Sequence, residues 1–337
     1  MDFNVNTRKQ RYIDFYDDVN KTNKVRKNNN IEDIIHIFSL IKIAQGAEGT
    51  IYISRTPNVK HVIVKDIDLK AIFQKKGLNK IVLDKDPLQI YDLFYSMKRN
   101  VSMPSLIETI MFTLTNQLVF QNICPHFALN YYWEYTSNKL IYYNEYANYS
   151  TLFHWGSVHR PHEEWMNLLF QIIISIISMQ KYFNIIHGDL HSLNILIYKV
   201  QKGGFWKYTI DGKEYILPNM GYVVLITDFG FAYISGKVYI KWYYEDHIKD
   251  ISKKERIFYD FNYLCNDLIK QKQDIKNILK ETMKKTIKNT KYTLTDLLSD
   301  YYSPPEILPD EYIDSYNLDT PLNTQLLPLN FRHLSTF

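Results

Sequence analysis

Cysteine is nearly absent. Cys124 and Cys265 are the two among 337 residues, which excludes a disulfide framework and a cysteine-rich zinc site and fits a reducing, cytoplasmic setting. Charge of one sign is also lacking: 40 basic residues stand against 36 acidic ones, a net +4. That gives no field of the kind that binds nucleic acid, and the local clusters at Arg8 to Arg11 and Lys21 to Lys27 read as a solvated arm. Long hydrophobic runs are missing too. The most apolar stretch, Leu168 to Met179, is too short to span a bilayer and is interrupted by Gln171, Ser175 and Ser178, so a buried helix is expected and no membrane span. The first residues have no leader pattern, and no internal repeat stands out. The length suits a single catalytic unit of two parts, expected to be monomeric.

Against this background one stretch concentrates polar chemistry. Ile185-Ile186-His187-Gly188-Asp189-Leu190-His191-Ser192-Leu193-Asn194-Ile195-Leu196-Ile197 joins a helix-like run to a β-branched run, with its polar residues at the turn. An Asp five residues before an Asn suits phosphoryl transfer: Asp189 can accept a proton from an attacking hydroxyl, while the Asn194 amide oxygen binds a metal. Farther on, Ile226-Thr227-Asp228-Phe229-Gly230 places a second carboxylate after another apolar strand. Asp228 there could take Mg²⁺ bound to phosphate oxygens.

Upstream, residues 1–30 are polar without a sustained period and are expected to be a mostly loose extension. Two strand patterns, Phe38 to Ile43 and Ile51 to Ser54, flank Ala44-Gln45-Gly46-Ala47-Glu48-Gly49-Thr50, a Gly-rich turn whose backbone N–H groups can approach phosphates. His61-Val62-Ile63-Val64-Lys65 ends a third strand in a lysine. From Tyr95 through Trp133 the one acidic residue is Glu108, in an apolar helical segment opened by Pro104. It is the natural carboxylate partner for Lys65. Two aromatic and β-branched runs, Phe127 to Tyr135 and Lys139 to Ala147, read as a last hairpin. Between Lys199 and Tyr222, Asp211-Gly212 flanked by strand patterns is a strong hairpin signal. The last 36 residues, with five prolines, read as a wrapping or disordered tail.

Taken in order, Gly46/Gly49, Lys65, Glu108, Glu145, Asp189, Asn194 and Asp228 resemble the protein-kinase-like superfamily, in a divergent viral or microbial form with a His-Gly-Asp-Leu-His-x-x-Asn catalytic loop. The resemblance implies an α+β, two-lobed fold: a five-stranded antiparallel sheet with one helix over residues 36–147, and a mainly helical second lobe over 148–300. Residues 1–35 form an extension, about 66–103 and about 199–222 are insertions, and 301–337 are a tail. It further implies an ATP- and Mg²⁺-dependent phosphotransferase. Asp189, Lys65 and Glu108 would be catalytic; Asn194 and Asp228 would hold metal. Ala44, Gly46, Gly49, Ile51 and Lys65 would contact nucleotide, with Glu145 and Ala147 in the hinge and Asn144 behind it. Asp260 would brace the catalytic loop.

Three departures bear on the acceptor. Ala44 stands where the first loop Gly is expected, His191 and Gly188 replace the usual Lys and Arg around Asp189, and no Ala-Pro-Glu occurs between Gly230 and Asp260. The preferred acceptor is Ser/Thr of a protein. A small-molecule hydroxyl of the choline or aminoglycoside type is the alternative, and a pseudokinase scaffold the second. Because Gly188 offers no guanidinium, pairing to a phosphorylated loop is not expected.

Overall fold

The structure is a computed structural model that describes residues 3–23, 39–45, 49–56, 58–68, 104–136, 139–240, 243–271, 275–289 and 291–327. The chain divides into two units: Asn6–Arg99 with Ala128–Tyr146, and Met1–Val5 with Asn100–Phe127 and Ala147–Phe337.

The first unit is built on β1 (Ile41–Gln45), β2 (Gly49–Ser54), β3 (Val62–Asp68), β4 (Asn130–Thr136) and β5 (Lys139–Glu145). They form one antiparallel sheet in the order β1-β2-β3-β5-β4, the five-stranded sheet expected. Alternation in β3 buries Val62, Val64 and Ile67, while nearly all of β5 is buried. The other layer is a correction. Residues 5–23, expected to be loose, form helix α1 (Val5–Asn23). Its stripe at positions 5, 8, 12, 15 and 19 has helical spacing but carries Arg8 and Tyr12 among Val5, Phe15 and Val19, so the periodicity is hidden. Phe15 packs on Tyr131 and Tyr143, with ring centroids 5.6 and 5.3 Å away. Asp18 accepts from the Asn58 backbone N–H and side chain.

The second unit contains α2 (Pro104–Phe120), the helix that carries Glu108. Its apolar residues are buried on nearly every face, and Phe112 meets Phe229, 5.7 Å between centroids. After β6 (Ser150–Thr151) and the single turn α3 (Leu152–Trp155) comes α4 (His162–Phe183). By length and composition α4 could cross a membrane, yet its residues lie in the core of this unit. β7 (Ile185–Ile186) leads into the His187 to Asn194 stretch, and β8 (Ile195–Lys199) leaves it. β8 pairs with β11 (Tyr222–Ile226) and β6, and β7 pairs with β12 (Tyr233–Ile234).

Between β8 and β11, β9 (Phe205–Ile210) and β10 (Lys213–Pro218) make a hairpin. Asp211 and Gly212 turn it with φ of 50° and 72°, the left-handed pair that an Asp-Gly type I′ turn requires. The tail adds to it: β13 (Asp314–Asn317) runs parallel to β9. Asp319 then accepts from the Asp211 and Gly212 N–H groups, each at 2.8 Å, and pairs with Lys181 at 2.8 Å. Farther along the unit come α5 (Lys253–Gln271), α6 (Lys276–Lys288) and α7 (Leu294–Asp300).

Candidate active site

The stretch from His187 to Asn194 is held by α5. Asp260, fully buried, accepts the His187 N–H at 2.8 Å and the Gly188 N–H at 3.0 Å, the bracing role expected of it. Burial pushes its carboxyl up, with His187 and the two N–H bonds pulling the other way. One helical turn on, the Tyr263 hydroxyl donates to Asp189 Oδ1 at 3.0 Å. Another turn on, Asp267 Oδ2 accepts from both the backbone N–H and the hydroxyl of Ser192, at 2.9 and 2.6 Å. Spacings of three and four put all three on one face of α5. Asp260 was legible in the sequence; Tyr263 and Asp267 were not, since only the helical period links them to it.

Gly188 has a steric reason to be glycine. Its φ is 82°, and a Cβ there would lie 2.4 Å from the Phe231 carbonyl oxygen. An arginine cannot occupy that position. Instead the Tyr243 hydroxyl donates to the Gly188 carbonyl at 2.6 Å, and its ring packs on Phe231 at 5.0 Å. The loop is thus fixed by a tyrosine from the following segment and not by a guanidinium.

Asp189 is half-buried. Burial opposes its charge, but His191 and the Tyr263 hydroxyl outweigh it and hold the carboxyl below the ordinary aspartate range. His191 Nε2 lies 3.6 Å from Asp189 Oδ2, while its Nδ1 accepts the Leu193 N–H at 3.2 Å. The Asp189 carboxylate raises the imidazole above its usual range, against burial. Tyr263 is pushed up to about 12, chiefly by burial and then by Asp189, so it remains a donor at neutral pH. His191 is both a contact of the candidate base and a loop hydrogen-bonder.

Asn194 Nδ2 donates to the Asp189 carbonyl at 3.0 Å, which leaves the amide oxygen as its remaining coordinating atom. The next strand is joined on: the Thr227 N–H donates to the Asn194 carbonyl at 3.1 Å, and His187 Nε2 meets the Thr227 carbonyl at 3.0 Å. Asp228 follows with φ 63°, a left-handed conformation that costs a non-glycine residue on the order of 1 kcal/mol or more. Phe229 is buried against Phe112, Phe127 and His187, and Gly230 lies so close to Pro104 that a Cβ would meet it at 2.9 Å. These contacts hold the strained Asp228 in place. Asn194 and Asp228 offer an amide oxygen and a carboxylate, a donor set that fits Mg²⁺ shared with phosphate oxygens. Among the described residues no three His, Cys, Asp or Glu side chains gather into a protein-only cage.

The remaining candidates lie in the sheet unit, except Glu108 and Ala147. In register, Ala44 opposes Ile51, and Ile51 opposes Lys65, whose Nζ sits 5.9 Å from the Tyr142 ring centroid. Gly46 lies outside the described residues. Gly49 pairs so closely with β3 that a Cβ would meet the Asp66 carbonyl at 2.1 Å, so strand packing alone demands glycine there. Glu108 is buried in α2, in the other unit from Lys65. Asn144 accepts from Asn130 Nδ2 at 2.8 Å. The unit boundary falls between Tyr146 and Ala147. The Glu145 side chain was missed as a structural centre: Arg8 Nε and Nη2 donate to it at 2.9 and 2.6 Å, and the Leu129 N–H donates at 3.2 Å. The Glu145 N–H itself is taken by the Leu129 carbonyl at 2.7 Å.

No family model matches the chain. It is 30% identical over 118 residues to "Putative serine/threonine-protein kinase R400" of Acanthamoeba polyphaga mimivirus, covering 33% of this chain and 25% of that protein. It is 38% identical over 64 residues to "Putative serine/threonine-protein kinase 019R" of Frog virus 3, covering 18% and 8%. The chain thus spans a quarter or less of these relatives. Among solved structures it is similar to the crystal structure of the BubR1 kinase domain, with 16% identity, TM-score 0.36, and coverage of 59% of this chain and 47% of that one.

Proposed function

We propose that this chain, a divergent member of the protein-kinase-like superfamily, is an ATP- and Mg²⁺-dependent phosphotransferase whose acceptor is a Ser/Thr hydroxyl of a protein. The observation that carries the reading is the catalytic loop itself. Asp189 has its carboxylate held between His191 and Tyr263, and its carbonyl tied to Asn194. A carboxylate kept ionised and oriented in this way can align an attacking hydroxyl and take its proton. His191 lies 3.6 Å from the carboxylate, and in its protonated form it would place positive charge where a transferring phosphoryl group needs neutralising.

Asn194 and Asp228 would hold Mg²⁺, which when bound neutralises charge on the nucleotide phosphates. Lys65 would contact the α- and β-phosphates, with Glu108 its proposed carboxylate partner, and Gly46 and Gly49 would bring backbone N–H groups near them. Glu145 to Ala147 would receive the adenine by backbone. Because the Glu145 N–H and side chain already have partners, the remaining backbone groups of this stretch are the ones left for the base. Both cysteines are buried, in keeping with action in a reducing compartment such as the cytoplasm.

The test is the melting temperature with and without Mg·ATP, then transfer of the γ-phosphate to a generic protein and to amino alcohols in the same samples. Mg·ATP raises the melting temperature by mass action, and protein is labelled. Labelling of amino alcohols alone moves the assignment to a small-molecule kinase. No shift at millimolar Mg·ATP moves it to a scaffold.

A further inference from the structure

Beside Asp189 the second unit has an open hollow of about 580 Å³, lined by His191, Leu193, Tyr263, Asn266, Asp267 and Lys270. Two of these, His191 and Tyr263, are the residues that touch the Asp189 carboxylate. A hydroxyl presented to Asp189 by a ligand lying in this hollow would therefore be flanked by the hollow's own walls. What the walls offer electrostatically decides which ligand suits them.

The one acid in the lining is already satisfied. Asp267 Oδ2 accepts two hydrogen bonds from Ser192, and Oδ1 accepts from Gln271 Nε2 at 2.6 Å. A cationic ligand would have to compete with those donors. The bases are differently placed: Lys270 is exposed, and among the described residues no carboxylate pairs with it. His191 has its one carboxylate contact in Asp189. Leu193, 49% exposed, adds an apolar surface to the lining. An amino-alcohol acceptor would find no open carboxylate here, whereas an extended chain with a negative group would find Lys270.

We infer that this hollow is the acceptor subsite and that Lys270 selects a peptide bearing an anionic side chain, a carboxylate or a phosphate, near the Ser or Thr to be phosphorylated. This rests on the proposed kinase activity and names the substrate class for it. Lys270 is a specificity residue here, acting on the peptide and not on the transferring phosphoryl group. Its neighbour on α5, Asp267, positions the loop through Ser192.

The experiment uses the whole 337-residue chain and two readouts. The first is phosphorylation, with Mg·ATP, of Ser peptides in which each flanking position carries Asp, phosphoserine, Ala or Arg in turn. The second is anisotropy of the same peptides, fluorescently labelled, without nucleotide. An anionic residue at one position raises kcat/KM and tightens binding roughly fivefold over Ala, the scale of an exposed ion pair. Lys270→Ala removes that preference, and Lys270→Glu turns it toward Arg. The Mg·ATP melting shift, measured on each variant, verifies the fold. Preference for phosphoserine over Asp identifies a previously phosphorylated substrate as the source of the anion; equal response identifies an acidic sequence. Equal use of all four peptides, or a preference unchanged in Lys270→Glu, overturns the inference and leaves the kinase reading standing. Absence of any Mg·ATP shift removes the kinase reading, and Lys270-independent anisotropy then overturns the inference separately.

Discussion

The ion pair between Arg8 and Glu145 sets a sharp test of how the sheet unit holds together. Both side chains are buried, at 0% and 1% exposure, and two hydrogen bonds of 2.9 and 2.6 Å join them. Arg8→Ala leaves Glu145 buried with the Leu129 N–H as its main donor. Removing one partner of a buried pair costs about 3–5 kcal/mol, because the remaining charge stays desolvated and uncompensated. For a chain of this size that corresponds to a fall in melting temperature of roughly 4–7 °C. The double change Arg8→Met with Glu145→Leu removes both charges together and loses far less, about 1 kcal/mol or nothing. Urea and thermal unfolding of the wild type, the single variants and the double variant measure the coupling directly. If Arg8→Ala melts within a degree of wild type, or if the double variant is no better than the single one, the assignment of α1 as part of this unit fails.

Three further outcomes follow from particular contacts. Gly188→Ala drives a Cβ into the Phe231 carbonyl at a positive φ, and should cost about 2 kcal/mol or more in unfolding and lower kcat more than it raises KM for ATP. Asp260→Ala strands the His187 and Gly188 N–H groups, costing about 1–3 kcal/mol for each unpaired donor, measured by urea denaturation. Asp319→Asn weakens the grip of the tail on the Asp211-Gly212 turn. Although burial opposes its charge, the N–H donors and Lys181 depress the Asp319 carboxyl. Its contribution is therefore present above the unfolded aspartate range and lost as pH falls through the folded value; wild type and variant should converge in acid when followed by hydrogen exchange at Asp211 and Gly212.

The parts legible in the sequence were those whose chemistry is local. Asp189, Asn194 and Asp228 stand in short stretches between apolar runs, and Asp211-Gly212 needs only its own turn geometry. The five-stranded sheet followed from β-branched and aromatic runs. Helix α1 was hidden because its buried stripe includes Arg8, which is satisfied only by Glu145, 137 residues away. Strand β13 was hidden for a related reason. Asp314 to Asn317 is polar, and its burial comes down to Tyr316, which packs on Tyr208 at 5.4 Å once β9 is in place. Tyr263, Asp267 and Tyr243 gain their roles from a loop fixed elsewhere in the chain, and Gly188 stood as a bare departure from the usual Arg until the Phe231 carbonyl gave it a steric cause.

The most direct measurement of the central claim is phosphate transfer by Asp189→Asn compared with wild type, both checked for the Mg·ATP melting shift. The expected variant folds and keeps the shift while transfer falls by about a hundredfold or more, the scale of a lost general base. Transfer that persists at the wild-type rate, with the shift intact, would contradict that claim.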